Sequence, residues 1–209
     1  MKAWLRRLSA ARAPALQTRW VVVDCETSGL DAARDRLLSI GAVGVARQRI
    51  AAGDCFDALL RQAEPSSAAN ILVHGIGGQA QAGGVEPRDA LEAFFAFAAA
   101  DPLAAFHADF DRTVLERAAR RHAIRSKGLW LDLARLLPVL FPGPRHADRS
   151  LDDWLSHFGL DHPARHDAAA DAYVSAQLLQ IALAQAAQQG CATVGQVIRA
   201  SVSARWMGA

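Results

Sequence analysis

The chain has 209 residues, a formal net charge of +2 and 52% hydrophobic residues, many of them alanine. That length suits one folded unit, and that apolar content excludes a disordered chain. No stretch approaches the roughly 18 consecutive apolar residues that a membrane span needs. The three cysteines, without a CxxC pair, argue against a disulfide framework or a zinc site and point to a reducing, cytoplasmic compartment.

The charge is unevenly spread. Before Asp24 the chain holds Lys2, Arg6, Arg7, Arg12 and Arg19 and no acidic residue. Residues 1–18 read as a basic leader, helical or flexible and mainly solvated. The same composition suits an arm touching phosphates or an Arg-rich, acid-poor transit segment.

The β-branched run Val21-Val22-Val23 predicts a buried strand. Side chains alternate along a strand, so Asp24 and Glu26 share one face and Cys25 takes the other, toward the interior. Gly29 permits the sharp turn that follows. Residues 31–35 form a polar turn, 37–46 a second apolar run, Arg47-Gln48 a tight connection, and 50–60 a third strand. Such short links make antiparallel hairpins.

Pro65-Ser66-Ser67 caps a short helix that ends in the glycines of 75–78. Glu86-Pro87 opens another, with Leu91, Phe94, Phe95 and Ala98 on one face. Residues 103–106 predict a short buried strand. A helix over about 110–122 turns Val114, Leu115 and Ala118 inward, and its basic end (Arg117, Arg120, Arg121, His122) suits the helix dipole. Leu129-Trp130-Leu131 predicts a fifth strand ending at Asp132, which caps a helix running to Leu140. The stretch 141–146 is a loop by composition. Ser150 to Asp153 cap a helix ending near Gly159, and a long helix spans about Asp167 to Gln189. Residues 191–209 form one more, packing through Val194, Val197, Ile198 and Trp206. Trp130 and Trp154 read as core aromatics. The whole is an α/β unit: a mixed five-stranded sheet, three antiparallel hairpin strands and then parallel ones, flanked by helices. Its domain covers 19–190, with 191–209 as a helical extension.

Acidic residues collect where such sheets keep their sites, at strand ends and helix starts. Asp24 and Glu26 end the first strand. Asp109 can cap the helix that follows the fourth, leaving Asp111 free. Asp167 can cap the long helix, with Asp171 one turn in. His166, just outside that helix, can then converge with Asp171, whereas five helical residues would rotate them ~140° apart.

Asp24-x-Glu26-Thr27-x-Gly29, His107-x-x-Phe110-Asp111 and His166-x-x-x-x-Asp171 together resemble the three motifs of the DnaQ-like (DEDDh) 3′→5′ exonucleases, to which the proofreading epsilon subunit of DNA polymerase III belongs. The likeness runs from about residue 20 to 185. Val73-His74-Gly75-Ile76 resembles the segment between the first two motifs, and Leu131-Asp132 the later aspartate. Departures are Ser28 in a motif that is often Thr-Thr-Gly, His107 where asparagine is common, and Gly77 where threonine is common.

The resemblance implies an RNase H-like fold and a two-metal phosphodiester hydrolysis that releases nucleoside 5′-monophosphates from single-stranded DNA. In that scheme Asp24, Glu26, Asp111 and Asp171 hold two divalent ions, Mg²⁺ or Mn²⁺. His166, an imidazole, takes the proton of the attacking water. Hard oxygen ligands without thiolate partners suit the same ions. Thr27, Ser28 and Gly29 would hold the terminal nucleotide through the backbone. His74 and Ile76 would lie against its sugar or base, with His107 and Phe110 beside it. A role in proofreading or DNA repair, and association with a DNA polymerase, follow by the same resemblance. An exoribonuclease acting on RNA and a catalytically idle nucleic-acid-binding module are the alternatives.

Overall fold

A computed structural model of the chain describes residues 9–126, 128–143, 149–161 and 166–203. Five strands, β1 (Arg19–Thr27), β2 (Leu37–Ala46), β3 (Arg49–Leu59), β4 (Leu103–Ala105) and β5 (Trp130–Asp132), form one sheet in the order β3-β2-β1-β4-β5. The β1–β2 and β2–β3 pairs are antiparallel, while β4 pairs parallel to β1 and β5 parallel to β4. This is the mixed sheet the hairpin pattern predicts. Arg47 and Gln48 form the two-residue turn between β2 and β3, both in the left-handed region (φ 51° and 58°) that matches the twist of a hairpin.

Eight helices are labelled here: α1 (Ala68–His74), α2 (Gly78–Gly83), α3 (Pro87–Ala98), α4 (Ala108–Arg121), α5 (Leu133–Leu140), α6 (Leu151–Phe158), α7 (Ala168–Gln188) and α8 (Val194–Ser203). The alternation of β1 divides the core. Trp20 and Val22 pack with α5, α6 and α7, and Val21, Val23 and Cys25 pack with α3 and α4. No helix among the described residues is long and apolar enough to cross a membrane.

Local signals explain most boundaries. Ser67 caps α1, a Ser150/Asp153 capping box opens α6, and Gly75 and Gly159 close their helices in the left-handed conformation. Helix α2 lies where the sequence predicts only a glycine-rich helix end. It has no apolar stripe and is organised around Gln81, which is fully buried; its side chain accepts from Ser66 N (2.8 Å) and donates to Ser66 Oγ (2.9 Å) and Ile76 O (2.8 Å).

Two expectations need correction. Helix α4 begins at Ala108, not near residue 110, because Ala108 itself is in the core; Asp109 is therefore inside the first turn and does not cap it. Its carboxylate instead meets Arg135 at 2.7 Å and Arg112 at 3.5 Å. The segment over 13–16 is not a solvated leader. Ala15 is buried, its N–H donates to Ala192 O (2.9 Å), and its carbonyl accepts from Trp20 Nε1 (3.0 Å). Pro14 bridges Thr193, so this segment and the start of α8 hold each other against the sheet. Residues 1–8, 144–148 and Trp206 lie outside the described residues.

Candidate active site

Strand β1 carries Asp24 and Glu26, both partly exposed, on the α7 side of the sheet, and Cys25 on the α4 side. Across the ladder Asp24 faces Gly41 of β2. With no side chain at Gly41, the first turn of α7 rests directly on the sheet beside β1; a Cβ there would meet the Ala168 carbonyl carbon at 2.1 Å. Asp167 caps α7 as predicted, accepting from Ala170 N at 2.9 Å. One turn in, Asp171 is buried. His166 sits in the left-handed region (φ 61°), and its backbone N–H donates to Asp171 Oδ2 at 3.2 Å. That bend overcomes the helical rotation and brings the imidazole over the carboxylate. Glu26, His166 and Asp171 each present a ligand atom within 4.8 Å of the others.

Helix α4 supplies Asp111 from its first turn. Asp24, Glu26, Asp111, His166 and Asp171 thus line one cleft of about 580 Å³, with Leu30, Phe106, His107 and Phe110 on its walls. A smaller cleft of about 200 Å³ adjoins it, sharing Glu26 and His166 and reaching His74, Ile76 and Asp57.

The electrostatics favour a cation. Burial pushes the Asp111 carboxyl up to about 7, with the charge of Asp132 adding to it. Its own backbone N–H and the thiol and N–H of Cys25 pull the other way without prevailing. Cys25 is buried as predicted but touches the site: burial and then the charges of Asp111 and Asp24 drive its thiol well up. What remains is carboxylate oxygens and one imidazole converging at the mouth of a cleft. That donor set suits hard divalent cations.

The flanking residues fall into two groups. His107 and Phe110 line the main cleft and His74 and Ile76 the adjoining one. His74 is also a brace. Its Nδ1 accepts from Ile76 N (2.9 Å), so Nε2 carries the proton and donates to Asn70 Oδ1 (2.7 Å). Asn70 Nδ2 in turn donates to Thr27 O at 3.0 Å. Burial, with the charge of His166, lowers the His74 pKa and keeps the ring neutral. Thr27, Ser28 and Gly29 line neither cleft. The Thr27 hydroxyl donates to Gly29 O (2.5 Å) and that of Ser28 to Asp35 Oδ1 (3.0 Å), which ties their loop to itself. Leu30, 94% exposed, lines the cleft in their place and was not singled out from the sequence. A leucine in a polar turn was the available signal.

A family model described as "Exonuclease" matches residues 21–179. A DNA polymerase III subunit epsilon-like protein of Rhodobacter capsulatus is 30% identical over 191 residues, covering 90% of this chain but 27% of that protein. The chain thus spans about a quarter of the length of that relative. Among solved structures, E. coli exonuclease I in complex with a dT13 oligonucleotide superposes with a TM-score of 0.70 at 18% identity, covering 83% of this chain and 43% of that one. Exonuclease X in complex with 5′ overhanging duplex DNA gives 0.67 at 22% identity, covering 87% and 99%. These two likenesses concern the fold, which is RNase H-like. With the family model spanning most of the chain, the protein belongs to the DnaQ-like exonuclease family.

Proposed function

We propose that this chain hydrolyses phosphodiester bonds from the 3′ end of single-stranded DNA and releases nucleoside 5′-monophosphates. The observation that carries this reading is the convergence of Asp24, Glu26, Asp111, His166 and Asp171 on one cleft. The carboxylates of Asp24, Glu26, Asp111 and Asp171 would hold two divalent ions, Mg²⁺ or Mn²⁺. Such ions, when bound, acidify the attacking water and stabilise the leaving oxygen.

The remaining steps belong to the chain itself. The His166 imidazole, held at the rim by its backbone bond to Asp171, accepts the proton from the attacking water. Leu30 and Phe110 form an apolar wall that can take the terminal base. His74, through Asn70 and Thr27, keeps the loop after β1 against α1 and so holds that wall in register.

DNA as the substrate is supported by the oligonucleotide and duplex complexes of exonucleases I and X. Association with a polymerase in proofreading or repair is supported by the epsilon-like relative. A cytoplasmic setting fits Cys25, Cys55 and Cys191, which form no disulfide among the described residues. The test is product analysis on matched 5′-labelled DNA and RNA oligomers with and without Mn²⁺. A DNA ladder shortening from the 3′ end with mononucleotide release is expected. Faster RNA shortening moves the substrate to RNA, and binding without mononucleotide release removes the catalytic reading.

A further inference from the structure

Helix α4 starts at the cleft with Phe110 and Asp111 and leads away from it to a basic ridge. Arg117, Arg120 and Arg121 occupy its last turns. Ala123 then adopts a left-handed conformation (φ 57°), and Ile124 N–H bonds back to Ala119 O at 2.9 Å. This fold-back sets Arg125 beside Arg120. Between them lies a hollow of about 470 Å³ lined by Glu116, Arg120, Ile124, Arg125 and Ser126.

The charges here are poorly neutralised. Arg121 and Arg125 are exposed and make no ion pair among the described residues. Arg120, 67% exposed, meets Glu116 only at 3.7 Å. Arg117 donates through Nη2 to Asp35 O, while its Nε and Nη1 are buried without a partner. Burial and the neighbouring charge of Arg121 lower its pKa, as expected where positive groups crowd. Helix-dipole complementarity acts within the last turn only. It accounts for Arg120 and Arg121 but not for Arg125, past the helix end, or for a hollow with a hydroxyl beside two guanidinium groups.

We propose that this ridge is a phosphate-binding exosite that grips the backbone of the nucleic-acid strand whose 3′ end enters the cleft. The inference rests on the exonuclease reading and extends it to the strand beyond the reacting end. Arg120 lies nine positions beyond Asp111 on the same helix. At about 1.5 Å per residue that is ~14 Å along the axis, a minimum, because nine residues at ~100° each put Arg120 half a turn round the helix from Asp111. A stacked strand needs at least about four nucleotides at ~3.4 Å each for that rise alone. Substrates of three nucleotides should therefore miss the ridge, and strands well beyond four should engage it.

The test is the double variant Arg121→Ala/Arg125→Ala, with Arg121→Lys/Arg125→Lys as its charge-preserving control. Hydrolysis of a DNA trimer and of a ~20-nucleotide strand is measured with Mn²⁺ across a salt series. On the long strand the alanine variant should raise KM about tenfold. Its log–log salt slope should fall by about 1.4, the release expected for two lost single-strand phosphate contacts at ~0.7 each. Trimer kinetics and the unfolding midpoint should match wild type, and the lysine control should restore most of the long-strand KM. An unchanged KM and salt slope on the long strand, with trimer turnover intact, would overturn the exosite and leave the catalytic reading standing. If wild type turns over neither length, the catalytic reading fails instead. Metal-free anisotropy with the long strand then decides the ridge: weaker, less salt-sensitive binding by the alanine variant supports it, and equal binding removes it.

Discussion

Asp24 and Gly41 face each other across the β1–β2 ladder, and the missing side chain at Gly41 allows α7 to begin against the sheet. A Cβ at Gly41 would lie 2.1 Å from the Ala168 carbonyl carbon, 2.2 Å from its oxygen and 2.3 Å from Ala169 N. All three are backbone atoms, which cannot rotate away, so Gly41→Ala must shift the start of α7. His166, Asp167 and Asp171 would move with it. Overpacking of this kind costs roughly 1–3 kcal/mol. A displacement near 1 Å at a reacting centre costs about 10²-fold in rate. Gly41→Ala should therefore remain folded with a lowered unfolding midpoint, and kcat should drop far more than stability alone predicts. A variant with wild-type kcat would show that the close approach does not position the site.

The buried Asp111 makes the metal-free protein pH-sensitive in an unusual direction. Its carboxyl, raised to about 7 chiefly by burial, binds a proton more tightly folded than unfolded. The sign follows from linkage. Stability from this group is fully present below the ordinary carboxylate range and is lost as pH rises toward 7. Asp132, also raised chiefly by burial, adds in the same direction. In EDTA the unfolding midpoint should be higher at pH 5 than at pH 8, and Mn²⁺ should remove most of that difference. Asp111→Asn should flatten the metal-free profile and abolish turnover. A metal-free midpoint that instead rises steadily from pH 5 to 8 would contradict the origin assigned to the shift.

Short-range chemistry was legible in the sequence, and tertiary contacts were not. The span of β2, the Arg47–Gln48 turn, and the caps at Ser67, Ser150, Asp132 and Asp167 all follow from neighbours a few residues apart. Asp24, Glu26, Asp111, His166 and Asp171 were legible for a related reason: each sits at a strand end or helix start, where its spacing fixes its placement. Helix α2 was not, because Gln81 rather than an apolar stripe organises it. Nor was the role of Asp109, since Arg135 is 26 positions away. The tie between Ala15 and Ala192 spans nearly the whole chain, and no local pattern announces it.

Arg19 illustrates how a basic residue near the start of the chain can serve the fold instead of a ligand. Its guanidinium bonds Asp54 through Nε (2.8 Å) and Nη2 (2.6 Å), reaches Asp101 at 2.6 Å, and lies over the Phe97 ring at 4.8 Å. It thereby links β1 to β3 and to the chain entering β4. Bonding to Asp54 holds the Arg19 pKa above its ordinary range and depresses that of Asp54. Stability from a depressed carboxyl is present at neutral pH and lost as pH falls through its folded pKa. Arg19→Ala should cost roughly 1–2 kcal/mol at pH 7, where a bidentate network of partly exposed charges is discounted for solvent. The cost should shrink near pH 3. Urea unfolding at both pH values measures it, and oligonucleotide hydrolysis should stay near wild type. A large loss of DNA binding without loss of stability would instead make Arg19 a phosphate contact.

His166 decides between two ways of reading the same geometry. A ligand atom within 4.8 Å of Glu26 and Asp171 is compatible with binding a shared cation or with standing one water away as a base. Exposure at the rim favours the second, because a ring facing solvent can lose its proton after each turnover. His166→Ala should therefore lower kcat by about 10²–10⁴, the usual worth of a general base, while calorimetry still detects Mn²⁺ binding. His166→Asn serves as the companion variant, since asparagine tolerates the left-handed backbone at φ 61° and separates loss of the imidazole from strain at that turn. Retention of the wild-type rate in both variants would exclude His166 as the base. Loss of Mn²⁺ binding in both variants would make the imidazole a ligand and move the proton acceptor elsewhere in the cleft.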